Sequence, residues 1–198
     1  SPEYYIAYFQ LIELYIFSEQ LEQAVERLDY LLEINPKGAY VNFLKAKVNF
    51  KQDDFVNALL YSEVSMQAGL ATTEALFIAG VSAYKIDKIE TARQYLMRIS
   101  NNISPAHIAN KILAEVNIKL GYTEAALEQV ERLQLSEKNR ASLLSAAAIK
   151  QFQSGNFSKS IEYMGEANQY DPGNAVNLLR EGFMKLSAND QSGLDNLS

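Results

Sequence analysis

Glu22 and Glu26, and again Glu162 and Glu166, are carboxylates spaced one helical turn apart, the arrangement in which one carboxyl can give a proton while its neighbour takes one. Solvated helix faces carry the same spacing routinely, and no further reactive side chain gathers beside either pair. Asp53-Asp54 brings two potential metal ligands together, but it lies at a polar break between helical stretches, where aspartate serves as an N-cap, and no other ligands cluster nearby. His107, the single histidine, follows Pro105 at an expected helix start and reads as a surface residue. With no cysteine and one histidine, thiolate chemistry, disulfides and multi-histidine metal clusters are excluded together. No segment reads as a strand, so no glycine-rich loop can follow one to cradle a phosphate. The expectation is a non-enzyme with no cofactor and no metal.

The elements that would position these residues are set by a period. Ala24, Ala58, Ala92, Ala126 and Ser160 recur every 34 residues on apolar helical stripes. A second comb of small residues, Ala46, Gly80, Ala114, Ala148 and Gly182, has the same period and runs 12 residues ahead of the first. Units therefore span 5–38, 39–72, 73–106, 107–140 and 141–174, with a partial unit at 175–198, all within one array over 1–198. Each unit reads as a helical hairpin, with a polar break at Gln52-Asp53-Asp54, Ile86-Asp87-Lys88, Leu120-Gly121 or Ser154-Gly155-Asn156. Gly121 and Gly155 suit left-handed helix ends, and Asp, Asn or Thr after the break suits the next N-cap. Pro36, Pro105 and Pro172 close units, since proline cannot continue a helix but can start one. Glycine inside a helix costs about 1 kcal/mol against alanine, so Gly80 and Gly182 imply close helix approach. Leu11, Leu28, Leu31, Leu76, Leu96, Ile99, Leu113, Val130, Leu133 and Leu144 are expected in the continuous core.

This pattern resembles the tetratricopeptide repeat family over residues 5 to about 188. Its carriers are Leu11, Ile12, Tyr15, Leu21, Ala24 and Pro36 in the first unit; Ala46, Phe55 and Ala58 in the second; Gly80, Ile89, Ala92 and Leu96 in the third; Ala114, Gly121 and Ala126 in the fourth; and Ala148, Gly155, Phe157, Ala167 and Pro172 in the fifth. The resemblance implies an all-α fold, a right-handed superhelical solenoid of stacked antiparallel helix pairs, with a groove lined by first helices in which a partner peptide lies. Asn42 and Lys45 depart from it, standing where large apolar residues are usual, which implies a looser or rotated second unit. The stretch from Ile112 to Tyr122 is similar to the long repeat lipoproteins linked to bacterial exopolysaccharide and exosortase (PEP-CTERM) systems. That likeness implies a slice of an extracytoplasmic scaffold in polymer assembly or protein sorting. Family members that bind chaperones clamp a carboxylate with lysine, asparagine and arginine, whereas the matching places here hold Phe9, Glu13 and Leu44, so that mode is not expected.

A non-catalytic protein-binding scaffold follows as the functional expectation, with a structural spacer, or an accessory domain of an enzyme lying outside this fragment, as alternatives. Three rows on the first helices mark the candidate partner site: Phe9, Phe43 and Phe77, continued by Lys111 and Ser145; Ile16, Phe50, Tyr84, Ile118 and Phe152; and Lys51, Lys85 and Lys119. They form either an aromatic floor with a basic edge, suited to a segment bearing apolar side chains and carboxylates, or core aromatics flanked by solvated helix ends. The partner is a protein or peptide of unknown identity. A net charge of -6 and a pI near 4.9 argue against nucleic acid. No stretch approaches a membrane span, so direct insertion is not expected. The chain opens on an aromatic helix and closes on half a unit, so both ends read as cut, and self-association through Tyr4, Tyr5 and Tyr8 is expected. The tail from Ala188 to Ser198 reads as frayed or as the start of another helix. Localisation is unknown: periplasmic or membrane-anchored through a missing N-terminus if the lipoprotein likeness holds, otherwise cytoplasmic.

Overall fold

The computed structural model describes residues 2–190 and 192–193, with side chains from Tyr5 onward. The described residues are helices and the turns that join them, and they divide into two compact units at Asn102/Ile103. The first unit contains α1 (Pro2–Phe17), α2 (Leu21–Ile34), α3 (Ala39–Lys51), α4 (Phe55–Gln67), α5 (Thr73–Lys85) and α6 (Ile89–Ile99). Each of these packs on the next in sequence, and α3 also touches α1 and α5, so the first helices of successive pairs lie side by side. The second unit contains α7 (Ile108–Lys119), α8 (Thr123–Glu131), α9 (Glu137–Gln153), α10 (Phe157–Tyr170) and α11 (Ala175–Ser187), packed in the same manner, with α7 against α9. Among the described residues no helix is long and apolar enough to cross a membrane.

The turn inside each pair is one motif repeated. Glu19, Asp53, Asp87, Gly121, Gly155 and Asn189 all have positive φ, at 60°, 58°, 59°, 94°, 78° and 63°. The residue after each sends its N–H back to the carbonyl five residues earlier, as in Asp54 to Asn49 (2.9 Å), Lys88 to Ala83 (2.8 Å) and Tyr122 to Asn117 (2.9 Å). This is a Schellman closure, which satisfies the last helical carbonyls from the backbone itself. The expected side-chain caps after the break are therefore only partly used. Asp54 does cap α4, accepting from Asn57 N at 3.1 Å. Asn156 makes no capping bond, and Thr123 is the first residue of α8, its hydroxyl buried without a partner. Side-chain caps concentrate instead between pairs, at Thr72, Ser136 and Asn174, and at His107, whose Nδ1 accepts from Ala109 N at 3.1 Å. His107 is thus a helix cap rather than a plain surface residue.

Both small-residue combs are buried along their whole length, from Ala24 to Ser160 and from Ala46 to Gly182. Gly80 shows why: a Cβ there would sit 2.7 Å from Cγ of Leu96, itself 1% exposed. The second helix of the pair lies directly on the glycine. Asn42 and Lys45 do not loosen their surroundings as their types imply. Asn42 is 1% exposed because its Nδ2 donates to the carbonyls of Pro36 and Gly38 (2.9 and 2.8 Å), and Lys45 reaches Asp29 on α2 at 2.5 Å. Buried polar groups are tolerated when paired, and here the pairing staples α3 to the preceding helix and turn.

Candidate partner-binding face

In the first unit, α1, α3 and α5 bring a chain of aromatic rings onto one face. The Phe9 ring meets Tyr40 edge-on at 5.1 Å between centroids, and Tyr40 tilts against Phe43 at 6.0 Å. Two helical turns along α3, Phe50 packs on Phe77 at 6.1 Å and on Phe55 at 5.8 Å. Such edge contacts suit the ring quadrupoles and hold the face rigid. The Tyr40 hydroxyl donates to Glu13 at 2.7 Å. Burial, and then that bond to Glu13, pushes the Tyr40 phenol up to about 12.

The lysines that edge this face are already engaged. Lys47 lies over the Phe43 ring at 5.3 Å and pairs with Glu74 at 2.9 Å. Lys51 approaches Glu19 at 3.8 Å, and Lys85 lies over the Phe55 ring at 5.7 Å. Exposed pairs of this kind contribute at most about 1 kcal/mol, so an incoming carboxylate can redirect them. Between α1, α3 and α5 a hollow of about 340 Å³ is lined by Glu13, Ile16, Phe17, Lys47, Lys51 and Glu74. Phe17, 85% exposed at its edge, falls one period before Lys51, at the head of the lysine row.

Of the residues singled out from sequence, Phe9, Phe43, Phe50, Phe77, Lys51 and Lys85 lie in the first unit in the contacts just described, and Tyr84 lies half-buried on α5. Phe43 is only 6% exposed, so most of its ring already belongs to the core. Lys119 is on α7 in the second unit, where Ile118 beside it is buried. Tyr40, Glu13, Lys47, Glu74 and Phe17 were missed by sequence reasoning. The signal was available, because Tyr40 and Lys47 stand three and four residues from Phe43 and so share its face. At the outer face of α1, Tyr5, Ile6 and Leu14 are 51%, 58% and 58% exposed, while Tyr8 is half-buried with the Arg27 guanidinium 5.7 Å above its ring. The Tyr4 side chain, Gln191 and residues 194–198 lie outside the described residues.

With this geometry in hand, the chain is similar to solved structures of helical-repeat proteins. YrrB, described as a TPR protein with an unusual peptide-binding site, matches with a TM-score of 0.73 at 20% identity, over 86% of this chain and 88% of that one. MamA from Desulfovibrio magneticus RS-1, residues 41 to the end, matches with a TM-score of 0.63 at 18% identity, over 80% and 90%. PilF from Pseudomonas aeruginosa matches with a TM-score of 0.55 at 22% identity, over 94% and 85%. No protein-family model and no curated protein sequence matches the chain. The fold is all-α and is that of the tetratricopeptide repeat solenoids; at these identities the likeness is one of fold.

Proposed function

We propose that this chain is a non-catalytic interaction scaffold that takes a protein segment on the faces that first helices form within each unit, the repeats being read as 5–38, 39–72, 73–106, 107–140 and 141–174 with a partial unit at 175–198. The observation that carries the proposal is the hollow at Phe17, where an 85% exposed ring stands beside Lys47 and Lys51, with Ile16, Glu13 and Glu74 completing the lining. An exposed phenylalanine next to a preformed hollow supplies area that a partner's apolar side chain can bury, and the lysines orient a nearby carboxylate. Phe9, Phe43, Phe50, Phe77 and Tyr84 form or support the floor, with Lys51, Lys85 and, in the second unit, Lys119 as the basic row. The peptide-binding site of YrrB supports the reading by analogy of fold.

The test is affinity capture from a bacterial lysate with the parent chain and a Phe17→Ser/Lys47→Glu variant, read by mass spectrometry. Both substitutions sit on partly or fully exposed side chains, so thermal stability should change little. A protein retained by the parent and lost with the variant is expected; identical capture by both overturns the site. The exposed Tyr5, Ile6 and Leu14 also favour self-association through the outer face of α1. Sedimentation velocity across a concentration series should show a dimer that Leu14→Ser removes, and a monomer at every concentration would remove the reading.

A further inference from the structure

In the second unit, α9 and α11 frame a different hollow, of about 450 Å³, on the helices that continue the rows of the first unit. Ser145 and Asn177 line it and are only 5% and 4% exposed. Arg180 Nη1 lies 3.3 Å from Ser145 Oγ, which lies 2.9 Å from Asn177 Oδ1. A guanidinium can only donate, so the Ser145 hydroxyl accepts from Arg180, and it donates its own proton to Asn177 Oδ1. Asn177 Oδ1 is thereby used toward Ser145, and its Nδ2 group, which has no hydrogen-bond partner among the described residues, is left as a donor on a side chain that lines the hollow. With no acceptor from the described residues, that donor is open to an acceptor entering the hollow.

The charges around it agree. Lys138 and Arg180 both line the hollow, and among the described residues neither is paired with a carboxylate. Asp171, the one acid of the lining, is bonded to Asn174 Nδ2 at 3.0 Å. Two unpaired cations in one hollow stand out in a chain of net charge -6. We propose that this hollow binds the side-chain carboxylate of an aspartate or glutamate within an extended partner segment. One carboxylate oxygen accepts from Asn177 Nδ2, the other from Arg180, with Lys138 adding charge at the rim and Val176 and Ile149 walling the methylenes. A monoanion fits better than a dianion because Asp171 shares the lining, and the hollow's opening to solvent lets the segment continue on both sides. The proposal rests on reading the first-helix faces as partner-binding surfaces, and names the chemistry that the second unit would read.

The experiment is an amide-resolved NMR titration of the full chain with acetyl-Ala-Glu-Ala-amide, its glutamine twin, and acetyl-Ala-Gln-Ala carrying a free C-terminal carboxylate. Saturable shifts at Ser145 and at the Asn177 side-chain amide are expected with the glutamate peptide and not with its amidated twin. Replacing one charge-assisted donor, Arg180→Gln, should weaken that binding about tenfold, with Arg180→Lys recovering part of it. Lys138→Gln, on an exposed side chain in the first turn of α9, gives a second variant that leaves the core untouched. An equal response to the glutamine twin, binding by the free-terminus peptide alone, or no saturable shift at Asn177 overturns the proposal. Phe17 and Lys47 play no part here, so failure of this titration and failure of the capture experiment are distinguishable.

Discussion

Phe43 on α3 and Ser145 on α9 occupy the same place in the repeat, three periods apart, and both are nearly buried at 6% and 5% exposure. Around Phe43 the face is built from rings, with Tyr40 beside it and Lys47 over it. Around Ser145 it is built from a donor relay that ends on an unpaired amide. The backbone frame, set by small residues and Schellman turns, is repeated, while the row it displays is free to change chemistry. A repeat fold thus separates what must recur from what can be tuned, and one chain can display two faces of different chemistry on one kind of scaffold.

The sharpest test of that separation truncates the two residues in turn. Phe43→Ala removes a nearly buried ring that packs against Tyr40 and lies under Lys47, and should cost about 3 to 5 kcal/mol by urea unfolding. Ser145→Ala removes one hydroxyl and leaves Asn177 Oδ1 and one Arg180 donor unpaired, a cost of about 1 to 2 kcal/mol. Equal losses would mean that the second face is as much a structural core as the first, and the contrast drawn between them would fail.

A second pair probes the frame itself. Gly80→Ala places a methyl 2.7 Å from Cγ of a Leu96 side chain that is itself buried, so α6 must shift away from α5, at about 1 to 3 kcal/mol. Gly165, inside α10, has nothing within 4 Å of its missing Cβ. Gly165→Ala should therefore stabilise by up to about 1 kcal/mol, through helix propensity alone. Thermal melts of the two variants should move in opposite directions; movement in the same direction would break the claim that Gly80 is kept for close packing.

The combs were legible because small residues at a fixed period have one physical use, and Gly80 against Leu96 is that use. The rings were legible as a row, but whether they are floor or core depends on neighbours three and four residues away, such as Tyr40 and Lys47. Charged and tyrosine side chains read as solvated in a sequence, and only coordinates show a lysine lying over a ring. The breaks at Asp53 and Asp87 were as legible as those at Gly121 and Gly155, but the left-handed conformation was legible only at the glycines, since L-residues seldom adopt positive φ. The relay at Asn177 left no sequence signal, because its meaning lies in which amide atom is consumed.

The smallest difference between the units should appear at high pH. The first unit holds two tyrosine–glutamate clasps, Tyr40 to Glu13 at 2.7 Å and Tyr95 to Glu63 at 2.9 Å, and burial followed by the glutamate bond pushes each phenol up to about 12. In the second unit Tyr163 is also raised, by burial and then by the Glu124 charge, but Lys159, which pairs with Glu124 at 2.6 Å, works against the rise. A phenol whose folded value lies above its unfolded value of about 10 favours the folded state fully below pH 10, and that contribution disappears as the pH climbs through 12. The melting temperature should therefore fall between pH 10 and 12. Part of that slope should vanish in Tyr40→Phe, which removes the titrating group and keeps the ring, while Tyr163→Phe should change it less. Lysines titrate in the same window in every variant, so the difference between variants, rather than the slope itself, carries the comparison. If Tyr163→Phe flattened the slope as much as Tyr40→Phe, the glutamate clasps would not be what distinguishes the first unit.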